Sequence, residues 1–88
     1  MSSSEVSLAE QIRRRVDAGE LPRDRPPKLW VTFGSGEPCA ACDETISPAQ
    51  GMNEVEWDET TYRFHIRCHA LWVGELIYRI LSEEWWWW

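Results

Sequence analysis

Eighty-eight residues, 43% hydrophobic and 27% charged with both signs mixed, suffice for one small folded unit and do not match a disordered chain. The net charge of −6 is uneven: residues 1–36 carry six basic and five acidic side chains (+1), and residues 37–88 carry three basic and ten acidic (−7). The second half would repel a phosphate backbone, which weighs against nonspecific nucleic-acid binding.

Residues 1–6 read as a loose tail. Ser7 followed by Glu10 forms a capping box and predicts a helix over "SLAEQIRRRVDAGELP". Leu8, Ile12 and Val16 recur every four residues and make one narrow apolar stripe. Gly19 can end that helix, Pro22 cannot continue it, and Leu21 is placed to fold back over the stripe. "PRDRPPK" (22–28) reads as a stiff connector, so 7–28 form an N-terminal helix and linker. Leu29–Phe33 is a short strand or an extended segment docked by Trp30, and "GSGEP" then leads the chain tightly into Cys39.

"NEVEWDETTYRFH" alternates apolar and polar residues on both sides of "DET", the pattern of a β-hairpin. Two strands alone are marginal in water. The next segment, "CHALWVGELIYRILSEE", supplies the partner. Trp72, Val73, Leu76, Ile77 and Ile80 fall at helical spacing, widened by Ala70, Leu71 and Leu81. Its breadth predicts contact with both the hairpin and the N-terminal helix.

Cys39, Cys42, His65 and Cys68 stand as C-x2-C-x22-H-x2-C. Each pair has the short separation that lets two donors reach one tetrahedral ion without straining the chain, and thiolate with imidazole favours zinc over calcium or magnesium. The first pair sits on a glycine-flanked turn, His65 closes the second hairpin strand, and Cys68 enters the helix in its first turn, where a thiolate is favoured. Competing readings are a redox pair, a simple disulfide and plain core cysteines. A redox pair would open a helix in a βαβ unit, and a disulfide would leave Cys68 and the His65 spacing unexplained. His65 is preferred to the adjacent His69 as the fourth ligand, because its two-residue gap repeats the first pair.

These residues make a small α+β zinc-stabilised domain the expected fold. It is treble-clef-like (zinc turn, β-hairpin, C-terminal helix) over 29–82, with an additional N-terminal helix. "CAACDETI…YRFHIRCHALW" resembles the first zinc module of a LIM domain, a family in which the residues matching Cys39, Cys42, His65 and Cys68 bind structural zinc and the modules usually bind other proteins. A LIM domain continues at once with a second ligand set, whereas here a hydrophobic helix follows. Over residues 8–82 the chain also resembles a group of small, largely uncharacterised bacterial proteins, through Ala18-Gly19-Glu20-Leu21-Pro22, the approach from Gly34 to Cys39, and "FHIRCHALW".

A structural zinc site acting through protein contacts is therefore the leading expectation. The alternative is a nucleic-acid-binding regulator using Arg13, Arg14, Arg23, Arg25 and Lys28, although three consecutive arginines cannot share one helix face. An enzyme is not expected, since four protein ligands leave no open metal position and no catalytic constellation is visible. No apolar run approaches the ~18 residues of a membrane span, and residues 1–15 lack the apolar stretch of a secretory signal. A cytoplasmic setting is expected, where close cysteines stay reduced or bind metal. The C-terminal tail, 83–88, ends in "WWWW" and receives no biochemical role; an engineered tail, a docking peptide and an oligomer contact all stay open.

Overall fold

A computed structural model describes residues 3–24 and 28–85. Helix α1 (Ser3–Asp17) precedes strands β1 (Lys28–Phe33), β2 (Gly51–Trp57) and β3 (Thr60–His65), and helix α2 (Ile66–Trp85) follows. The strands form one antiparallel sheet in the order β1-β2-β3. Among the described residues the fold is thus a small α+β arrangement of two helices and a three-stranded sheet.

Helix α1 begins at Ser3, so Ser7 is an exposed interior position rather than the predicted cap, and residues 3–6 are helical rather than tail. No glycine or proline between Ser3 and Ser7 stops the helix from extending backwards. The stripe behaves as its spacing demands: Ile12 and Val16 are fully buried and Leu8 packs partly against them. Gly19 adopts φ +79°, which breaks the helix cheaply at glycine, and Leu21 turns back into the core. The connector residues Arg25, Pro26 and Pro27, and Trp86–Trp88 of the tryptophan run, lie outside the described residues.

The segment 29–33 is a strand, and it adds a third member to the expected hairpin. Asp58 and Glu59 both have positive φ (47° and 66°), the backbone of a two-residue hairpin turn whose twist matches the strands. Val55 and Phe64 are fully buried on the sheet face that carries α2. Phe64 stacks on Trp72 with ring centroids 5.1 Å apart, and the Trp72 indole N–H donates to the Pro22 carbonyl at 3.1 Å. Trp72 therefore ties sheet, helix and post-α1 loop at one point.

The apolar face of α2 is narrower than its sequence implies. Trp72 and Leu76 are buried and Leu71 and Val73 partly so, while Ile77, Tyr78, Ile80 and Leu81 are exposed. These exposed positions follow Leu76, the last buried residue of α2 among those described.

Candidate metal centre

The first half of the site is a tight knuckle between β1 and β2. Pro38 and Thr45 form an isolated antiparallel bridge, Cys39 N–H donates to the Glu44 carbonyl at 2.9 Å, and Asp43 N–H donates to the Cys39 carbonyl at 2.9 Å. These bonds close a loop that brings Cys39 and Cys42 to one side. Gly34 is needed just before it: a Cβ there would collide with the Ile46 carbonyl oxygen. The second half is the β3–α2 junction, with His65 as the last strand residue and Cys68 in the first turn of the helix. An Ala40 N–H bond to the Arg63 carbonyl, 2.7 Å, joins the two halves.

One donor atom from each of Cys39, Cys42, His65 and Cys68 lies within 4.8 Å of all the others. His65 Nδ1 is 3.4 Å from Cys42 Sγ and 3.8 Å from Cys68 Sγ. A tetrahedral ion bonded to sulfur at about 2.3 Å and nitrogen at about 2.0 Å would hold such atoms about 3.5–3.8 Å apart. The set therefore needs to contract by no more than about 1 Å to share one ion. Cys39 and Cys68 are buried, while Cys42 and His65 are half-buried and line an open groove.

The histidine is oriented for ligation. Its Nε2 lies 3.2 Å from the Thr45 carbonyl oxygen. A carbonyl can only accept, so a hydrogen bond there puts the proton on Nε2 and leaves the Nδ1 lone pair facing the sulfurs of Cys42 and Cys68. Such an outer bond fixes tautomer and ring orientation in metal-binding histidines. His69 is elsewhere: its ring meets Phe64 and Trp72 edge-on, and burial lowers its pKa.

The three thiols are not equivalent. The hydrogen bond from Cys68 holds the Cys39 pKa well below the ordinary thiol value, helped by backbone amides that include Ala41 N–H at 3.4 Å. Cys68 is shifted the opposite way, its pKa raised first through that same bond to Cys39 and then by burial. Burial raises Cys42. No pair is joined as a disulfide.

Residues that the spacing does not reveal support the knuckle from α1. Gln11 donates to the Ala41 carbonyl at 2.9 Å, and Arg15 donates to the Ala40 carbonyl at 2.7 Å while also pairing with the Asp43 carboxylate. That pairing holds the Asp43 carboxyl below the usual range. Gln11 and Arg15 are four apart and so share a helix face, a signal that they meet one neighbour but not which one. Of the cations considered for nucleic acid, Arg13 pairs with Glu75 at 3.3 Å, Arg14, Arg23 and Lys28 are exposed, and Arg25 lies outside the described residues. No helix among the described residues is long and apolar enough to cross a membrane.

Fold and donor set together define a small α+β protein with a three-cysteine, one-histidine cluster able to hold one metal ion. Compared with known proteins, the chain matches no family model, no curated protein and no solved structure.

Proposed function

We propose that the protein is a small zinc-binding module in which Cys39, Cys42, His65 and Cys68 hold one structural zinc ion, and that it works by contacting another protein. The observation that carries the zinc reading is the convergence of four soft and borderline donors, with His65 Nδ1 turned toward the sulfurs by the Thr45 carbonyl. Thiolate and imidazole suit zinc among the common divalent ions. Four protein ligands complete a tetrahedron and leave no place for a reacting water, which favours a structural role over catalysis. A knuckle, a hairpin and a helix with the last ligand in its first turn support a treble-clef-like reading of the ligand-bearing half, the arrangement expected from the order of turn, hairpin and helix in the sequence. The contact role draws on the resemblance to a LIM zinc module and on the apolar side chains left exposed on β1 and α2.

Among the described residues, twelve buried hydrophobic side chains, two of them from the proposed ligands, form a small core. Binding energy at structural zinc sites is folding energy, on the order of 10 kcal/mol in finger peptides. Chelator titration followed by near-UV circular dichroism, with zinc content measured by native mass spectrometry, tests the zinc reading. The Trp72 and Phe64 signal should collapse as one zinc per chain is removed. An unchanged signal after confirmed metal loss would refute a structural role, and a purified chain holding no zinc would refute the site.

A further inference from the structure

Strand β1 has one partner among the described residues, so its outer edge is open. Gly34 N–H donates to the Gln50 carbonyl at 3.0 Å, which makes that pair a hydrogen-bonded one. Such pairs alternate with non-bonded ones in an antiparallel ladder, and the register continues through Phe33↔Gly51, Thr32↔Met52 and Val31↔Asn53 without a bulge. The backbone groups of Thr32 and Trp30 therefore point at β2, and those of Leu29, Val31 and Phe33 point out of the sheet. The same three residues have exposed side chains, at 48%, 68% and 70%. They share the sheet face that carries α2, since Val31 lies across from Asn53 and Asn53 from Phe64. Yet α2 meets β2 and β3 and not β1.

Natural sheet edges are guarded by charge, proline or bulges. "KLWVTF" carries one charge, Lys28, at its first position. We propose that this edge pairs with the same edge of a second copy of the chain, antiparallel about a two-fold axis at Val31. Residues directly opposite in a sheet share a face, and this register satisfies that on both faces. Val31 meets Val31 and exchanges both backbone bonds, Leu29 meets Phe33, and Trp30 meets Thr32. Lys28 falls opposite Gly34, so no like charges oppose each other. A strand complementary to itself in this way fits a second copy better than an arbitrary peptide.

The exposed parts of Leu29, Trp30, Val31 and Phe33 amount to roughly 400 Å² per chain, about half of what each partner contributes to a standard interface. The dimer is therefore of the weak, reversible class, and it is independent of which metal fills the cluster. Sedimentation equilibrium on the full zinc-loaded chain tests it, and the wild type should pass from monomer to dimer below about 1 mM. Val31→Lys places two ammonium groups face to face and should raise the dimer Kd by more than about tenfold. Its exposed position leaves the near-UV spectrum and zinc content unchanged. Tyr78→Lys, at a similarly exposed site on α2 (62%), should dimerise as the wild type does. In a mixed-label sample, intermolecular NOEs should join Leu29 of one copy to Phe33 of the other. A wild type that stays monomeric at about 1 mM overturns the proposal. So does a dimer untouched by Val31→Lys, or one abolished instead by Tyr78→Lys.

Discussion

Replacing Arg15 by methionine removes a charged donor from the knuckle and keeps an unbranched stem of similar reach. The bond lost is the one from the guanidinium to the Ala40 carbonyl at 2.7 Å. Hydrogen bonds from charged groups contribute about 1.5–3 kcal/mol net. The Arg15 side chain is 23% exposed, which places it at the lower end, about 1.5 kcal/mol. The Asp43 pairing adds little, because that carboxylate is open to solvent. Where forming the site and filling it are one event, this loss appears in metal affinity, as about a tenfold weaker zinc Kd. Competition against a chromophoric chelator at neutral pH measures it, with Arg14→Met in parallel. Arg14 is the exposed neighbour and should stay within about twofold of wild type. Asp43→Asn keeps the Ala40 bond and should fall between the two. If Arg15→Met and Arg14→Met bind zinc equally well, α1 does not support the knuckle.

His65→Ala should lose most zinc affinity, whereas His69→Ala should keep it and instead lose edge contacts with Phe64 and Trp72, each worth about 0.5–1.5 kcal/mol; the same competition titration with urea unfolding separates them, and the reverse outcome would move the ligand to His69. Acid should weaken the fold through Asp17, whose carboxyl is held below its ordinary 3.8 by Arg79. Because the folded pKa lies below the unfolded one, this contribution is full above about pH 4 and is lost as pH falls through the folded value. Urea midpoints between neutral and acid pH should therefore decline less steeply in Asp17→Asn, and identical slopes would refute the link.

The metal-ligand candidates were legible because their spacing is local. Two cysteines on a turn, and a histidine and cysteine at a strand–helix junction, declare themselves within three or four residues. The alternation of Val55 and Tyr62 and the four-residue stripe of α1 are likewise written in adjacent turns and strands. The placement of β1 was not, because a strand exposed at every position shows no burial period and its partner is chosen by long-range register. The narrowness of the buried face on α2 was hidden for a related reason. Ile77, Ile80 and Leu81 keep helical spacing whether or not anything covers them. The start of α1 was misread because a capping box marks one possible beginning and does not forbid an earlier one.

Three adjacent arginines show how a single helix joins the two halves of the cluster. At about 100° per residue, if Gln11 defines 0°, Arg15 sits near 40°, Ile12 and Val16 near 100° and 140°, Arg13 and Asp17 near 200° and 240°, and Arg14 near 300°. The apolar stripe is thus flanked by two polar ranks. Gln11 and Arg15 hold the knuckle that carries Cys39 and Cys42. On the other flank, Arg13 pairs with Glu75, and Asp17 pairs with Arg79 at 2.7 Å, both on the helix that carries Cys68. Arg14 points opposite the stripe and meets solvent. One short helix therefore braces both ligand-bearing segments at once, which requires its two ranks to depend on each other. Weakening the Asp17 rank should make the Arg15 substitution matter less for zinc affinity, since the brace is already loose. Two ranks whose effects on zinc affinity simply add would mean that α1 packs on each segment separately.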